Sequence, residues 1–189
     1  MKQNGFTLIE LVLVIAIVAL LAAAITPVIN SARQRAIAAR ILQDYETIKT
    51  ACVNFNSDTG VYAQQTYDCV AEPNFCHLLN DTGIPGWKGP YLAGEFSNDF
   101  FPDIDKVVIL PWLSRDWDLD GDGITDKSMW TPGNDIGIAN IPEPAAKIIN
   151  DSLDQSIPGD WKTTGRVYFR PASPHNTRTA LILFLISRR

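Results

Sequence analysis

Histidine, cysteine and basic residues are all scarce in this chain of 189 residues. The two histidines, His77 and His175, lie far apart in sequence, and no HExxH, P-loop or nucleophile-elbow serine occurs. No catalytic constellation is expected, and each histidine reads as a structural residue. The 16 Lys and Arg are outnumbered by 21 Asp and Glu, giving a net charge of −5. With no basic stripe carrying interleaved aromatics, this is a poor footprint for nucleic acid. Cysteines number three, Cys52, Cys69 and Cys76, and only His77 stands near them, which argues against zinc. Internal repeats and low-complexity tracts are lacking. Aromatics are sparse along the N-terminal helical pattern (Phe6, Tyr45, Phe55), too few for a stacked path for electrons.

What the chain does have is an apolar block with one acid at its edge. Every residue from Leu11 to Ile25 is apolar, and Glu10 stands just ahead of that run. Phe6 to Ile29 is 24 residues, about 36 Å as a helix, enough to cross a hydrocarbon core of about 30 Å. Lys2 places the short Met1–Gly5 end in the cytoplasm by the positive-inside rule. A carboxylate at membrane depth costs about 2.5–3.5 kcal/mol on insertion scales, so Glu10 is expected to have a partner. Cutting the chain at Gly5–Phe6 creates one, because a free α-amine with a pKa of about 7.7–8.0 is mostly cationic at neutral pH.

The ungapped run Gly5, Phe6, Thr7, Leu8, Ile9, Glu10 resembles the processing motif of the type IV pilin and pseudopilin family. The resemblance implies cleavage after Gly5 by prepilin peptidase, N-methylation of Phe6, and pairing of Glu10 with the freed amine of a neighbouring subunit. It also implies a homo-oligomer or mixed filament with other pilin-like subunits, an inner-membrane assembly platform, and a head in the periplasm. Pro27 stands where pilins commonly carry a helix-bending proline. Three other readings compete: a secretory signal peptide cut near Ala22–Ala24, a plain single-span anchor, and a buried soluble helix. An acid at Glu10 argues against the signal peptide, whose core rarely carries one.

Past the apolar block, Ile37, Ile41, Tyr45, Ile48, Cys52 and Phe55 recur at helical spacing. The first half of the helix is thus apolar all round, and the second half is amphipathic and suited to holding a sheet. Pro27 between them is expected to kink or locally melt the helix, and Asp58-Thr59-Gly60 to stop it. The expected organisation is a leader 1–5, a transmembrane or filament-core helix 6–29, its amphipathic continuation 30–58, and a globular head 59–189. Residues 61–104 read as mostly irregular, with a short helix near Asn74–Leu79. Strands are expected at Lys106–Leu110, Arg166–Arg170 and Thr179–Ser187, and a helix at Pro144–Leu153. Because the last strand is apolar on both alternating faces, it is expected to be covered on both sides or to lie centrally on the long helix. The fold class expected is α+β: a small antiparallel sheet packed on the second half of a long N-terminal helix. Gly86-Trp87-Lys88-Gly89-Pro90-Tyr91-Leu92 and Thr59-Gly60-Val61-Tyr62 resemble segments of the major pseudopilins of type II secretion systems. The Asp-Pro-Trp-Gly segment of that family is not recognisable after Leu92, and the tail beyond Lys127 is longer.

Asp118, Asp120, Asp122, Gly123 and Asp126 fit D-x-D-x-D-G-x-x-D. Calcium takes six to eight hard oxygen ligands at 2.3–2.6 Å, and alternating acids in a tight loop can present several. Gly123 permits the turn, the Ile124 carbonyl falls at the seventh position, and Asp126 falls at the ninth. Met129 occupies the twelfth position, where an EF-hand carries Glu, so Asp116 or Asp135 is a candidate to complete the set. A solvated acidic turn is the plainer reading. The resemblance to major pseudopilins adds a structural calcium in this part of the head. Cys69 and Cys76 bracket a polar stretch and can close a small loop. Cys52 falls on the apolar stripe and reads as a small buried hydrophobe, with pairing to another cysteine as the alternative. Five tryptophans (Trp87, Trp112, Trp117, Trp130, Trp161) are core residues or a sticky surface. A type II secretion pseudopilin is the expected function. A type IV pilus pilin, or an anchored or secreted calcium-dependent binding module that never polymerises, are the alternatives.

Overall fold

The computed structural model describes residues 7–66, 69, 71–94, 107–173 and 179–187. Gly5, Phe6, Lys2, Lys106 and His175 lie outside them, so the expected cleavage and methylation positions do too. Helix α1 (Leu8–Thr59) runs for 52 residues, about 78 Å at 1.5 Å per residue. Thr7 and Glu10 start it with a reciprocal capping box: the Thr7 hydroxyl accepts from the Glu10 N–H, and the Glu10 carboxylate accepts from the Thr7 N–H. Gly60 ends it in the left-handed conformation (φ 74°), its N–H donating to the Asn56 carbonyl. The helix is unbroken at Pro27, so the local melting expected there is not seen. The proline removes one donor, the alanines before it favour helix, and the Thr26 hydroxyl donates to the Ala22 carbonyl on that same turn.

The buried face of α1 is Ala38, Ile41, Asp44, Tyr45, Ile48, Ala51, Cys52 and Phe55. Against it lies an antiparallel sheet of β1 (Val107–Ile109), β2 (Gly133–Ala139), β3 (Val167–Arg170) and β4 (Ala180–Ser187), in the order β1-β2-β4-β3. Helix α2 (Glu143–Leu153) packs on both α1 and β3. This is the expected α+β arrangement, a pilin-like fold. Strand β4 is central and touches α1, with Leu181, Leu183 and Leu185 buried. Its alternate residues Ile182, Phe184 and Ile186 are only partly buried, so the strand is fully covered on one side. Trp117, itself buried, packs edge-on to Phe184.

Two elements differ from expectation. Strand β2 has no counterpart in the sequence reading, because two glycines, Asn134 and Asp135 dilute its apolar signal to Ile136, Ile138 and Ala139. The short helix expected near Asn74–Leu79 is a single 3-10 turn, Pro73–Phe75. Beyond it the chain is drawn into pairing: His77 N–H donates to the Gln64 carbonyl and Leu78 N–H to the Gln65 side chain. A Cys69–Cys76 disulfide closes this region, and Cys52 is a buried free thiol. Asn134 ties the loops to the sheet, its amide donating to the carbonyls of Ala63 and Leu110.

Candidate functional site: the assembly helix and the acidic loop

The N-terminal half of α1 has no core to join. From Leu8 to Ile29 its side chains are exposed, with Leu8 at 81% and Leu20 at 72%. None of its most apolar window is buried within the chain, and it is long and apolar enough to cross a membrane. Glu10 sits at its start with one carboxylate oxygen taking both the Thr7 N–H and the Thr7 hydroxyl, each at 2.8 Å. The acid therefore has a local partner in the single chain, and the same carboxylate marks where a further donor can bind. Beyond the apolar stretch, Arg33 and Arg35 project from an exposed section of stem.

The second half of α1 is fastened to the head by polar contacts as well as packing. Tyr45 donates its hydroxyl to the Phe184 carbonyl at 2.8 Å, and burial pushes its pKa up to about 12. Burial raises Asp44 above the usual carboxylate range, against the opposing pull of Arg40 at 3.0 Å. At the helix end, Asp58 accepts from Lys88 Nζ (2.8 Å) and from the Tyr91 hydroxyl (3.0 Å). The Lys88 and Tyr91 hydrogen bonds hold its carboxyl below the ordinary value. Trp87 donates to the His77 carbonyl, and Tyr91 meets Phe55 edge-on. The Gly86–Leu92 segment thus clamps the end of α1 and covers the core.

Residues 111–132 form an excursion between β1 and β2, laced by Trp112–Pro132 and Trp117–Lys127 bridges. Its tip is the acidic loop. Carboxylate oxygens of Asp118, Asp120 and Asp126 lie within 4.8 Å of one another. Two oxygens on opposite sides of a calcium ion at 2.3–2.6 Å stand about 4.6–5.2 Å apart, so these three residues fit one cation. Backbone N–H groups already order the carboxylates: Asp118 accepts from Gly121 and Gly123, Asp126 from Leu119, and Asp122 from Ile124. Gly121 and Gly123 both have left-handed φ, 80° and 85°. A Cβ at Gly121 would stand 2.3 Å from the Pro158 carbonyl oxygen, so the loop packs closely on the segment after α2. Asp116 lies outside the cluster and accepts from the Met129 N–H. Asp135 is buried in β2, where burial raises its pKa, and it accepts from the Ser114 N–H and hydroxyl.

Asp154, passed over in the sequence, joins this loop to the sheet. It is buried and takes the N–H groups of Arg166 and Val167, while the Gly165 N–H donates to the Asp118 carbonyl. No local pattern announces it, because its partners lie 12 and 13 residues away. The tryptophans divide: Trp117 is buried, Trp87 and Trp161 pack against the core, and Trp130 is 64% exposed.

A long unburied apolar helix, capped at an acid and carrying a small antiparallel sheet on its far half, is an α+β arrangement consistent with the pilin fold. The sequence matches the prokaryotic N-terminal methylation motif over residues 1–26, which supports the type IV pilin and pseudopilin resemblance. No curated protein and no solved structure matches the chain. The motif implies processing by prepilin peptidase and assembly into pilin-like filaments, and the apolar helix fits membrane anchoring.

Proposed function

We propose that this chain is a pseudopilin of a type II secretion system, a structural subunit that polymerises through α1 in support of protein export. The observation that carries the reading is the union of the methylation motif with an apolar helix that finds no cover within its own chain. Cleavage after Gly5 frees the Phe6 amine, and methylation leaves it cationic. Glu10 then pairs with that amine on the neighbouring subunit, so each group neutralises a charge that lipid or a filament core penalises. The stem passes from the inner membrane into the fibre core, and the head stays periplasmic.

The Gly86–Leu92 clamp on the end of α1 favours the secretion pseudopilus within the class. Asp118, Asp120 and Asp126 hold calcium in the head, with Asp122 and Ile124 beside them. The ion supplies charge neutralisation and ties the loop to the Asp154–Val167 region through the Asp118–Gly165 bond. One feature favours a type IV pilin instead: the Cys69–Cys76 disulfide, a departure from the pseudopilin pattern. Deleting the gene in its host decides between them. The pseudopilus reading expects exported proteins to accumulate in the periplasm while surface fibres persist. Loss of surface fibres with export intact assigns the chain to a pilus.

A further inference from the structure

We infer that Arg33 and Arg35 on the stem of one subunit dock on the acidic loop of another copy of this chain. The inference rests on the filament reading and names a contact within it. Both arginines are exposed, and among the described residues no ion pair reaches either one. Arg40, further along, is engaged by Asp44. The stem section that carries Arg33 and Arg35 lies below the head, with only Gln34 and Ile37 partly covered between Asn30 and Ile37. Arg33 and Arg35 stand about 100° to either side of Gln34 around the helix axis, two unpartnered cations flanking a strip that its own chain covers only in part.

The complementary surface is the tip of the 111–132 excursion. Asp116, Asp120, Asp122 and Asp126 are all exposed there, and Ile124 is 69% exposed among them. Asp116 to Asp126 contains five acids and no basic residue, with Arg115 and Lys127 at its edges, so with both cations counted a bound divalent ion still leaves the loop negative by one (−5 + 2 + 2). The attraction survives metal binding.

Geometry makes the contact intermolecular. Leu119, at the loop, lines one cavity with Tyr45 and Lys49 of α1. Arg33 and Arg35 lie 10 to 16 residues earlier on the helix (45 − 35 and 49 − 33). At 1.5 Å per residue that is about 15–24 Å down the axis, beyond the reach of the loop in the same chain. A copy displaced by that distance along the fibre axis brings its arginines level with the loop. Staggered parallel helices supply such displacements. Charge pairs at this rim set register and partner choice more than raw affinity.

The test uses the full-length chain in a host that assembles it, and reads polymer recovered from the cell envelope, by sedimentation and subunit cross-linking. Arg33→Glu with Arg35→Glu is expected to lower fibre yield about tenfold, with processing and membrane insertion unchanged. Asp122→Arg alone should lower yield as well, yet in the double-glutamate background it should restore yield towards wild type. A chain with Arg35→Cys and Ile124→Cys should oxidise into a ladder of multimers within fibres, and neither single cysteine variant should. Normal fibres from the double-glutamate variant, or no multimer ladder, would overturn the contact. So would fibre loss that Asp122→Arg fails to relieve, accompanied by weaker binding to phosphatidylglycerol vesicles; that result assigns the arginines to lipid headgroups. Absence of envelope polymer from the wild-type chain would instead sink the filament reading itself, and the contact with it.

Discussion

The two halves of α1 share one continuous helix and follow opposite rules. From Leu11 to Ile25 the side chains are apolar on every face, and the chain buries none of them. After Ile37 one face is buried, with Ile48, Cys52 and Phe55 at 0% exposure. An apolar surface exposed over that length cannot be the resting state of a chain in water. Its cover must come from outside, which on the proposed reading is lipid before assembly and other stems afterwards. The buried half completes its packing within a single chain, through the sheet, α2 and the Gly86–Leu92 clamp.

The difference predicts which substitutions hurt which property. The largest effect belongs to Glu10. Glu10→Ala should be processed and inserted normally yet yield almost no envelope polymer, as read by sedimentation, cross-linking and immunoblotting, with head stability untouched. Glu10 also caps its own helix through Thr7, so Glu10→Gln, which keeps a cap acceptor without the charge, separates the two roles. Recovery of assembly by Gln would show that the cap and not the charge matters.

Next comes the contrast between core and stem. Phe55→Ala removes a fully buried ring and should cost about 3–5 kcal/mol of head stability by chemical denaturation. Leu13→Ala, at a position 61% exposed in the single chain, should leave that unfolding free energy unchanged while weakening assembly. Equal destabilisation of the head by both would break the distinction between the halves.

Calcium should act on the head alone. At a concentration one hundredfold above its dissociation constant, a single ion adds about 2.7 kcal/mol to the folded state. Thermal unfolding of the full chain in detergent should shift upward with calcium relative to chelator, and Asp118→Ala should abolish the shift. No shift in wild type would remove the metal from the account.

The smallest effect sits at the junction where α1 ends. Lys88 and Tyr91 hold the Asp58 carboxyl below its ordinary pKa. A depressed carboxylate stabilises the fold above its unfolded pKa, and that contribution fades as pH falls through the lowered folded value. Asp58→Asn should therefore melt below wild type at neutral pH. The gap should begin to narrow as pH drops beneath about 3.9, and close only below the lowered folded value. Because Lys88 is largely exposed, the gap will be modest.

Much of this was legible in the residues. Six contiguous positions, Gly5 to Glu10, carried the class. The 3.6 period from Ile37 to Phe55 located the face that holds the sheet, and Asp58-Thr59-Gly60 located its end. The apolar run at β4 marked a central strand. Less visible were features made by distant partners. Strand β2 is recruited by β1 and β4 despite a weak pattern of its own. Asp135 reads as a spare metal ligand by spacing, yet its place in β2 turns it towards Ser114. Asp154 gains its role from a turn a dozen residues away. In each case tertiary pairing, which no local window contains, decided the outcome.

Mass spectrometry of the mature N-terminus in purified fibres tests the central claim most directly. The account predicts a chain that begins at Phe6 with a methylated amine. Fibres whose subunits retain Met1 to Gly5, or begin beyond Ala24, would contradict it.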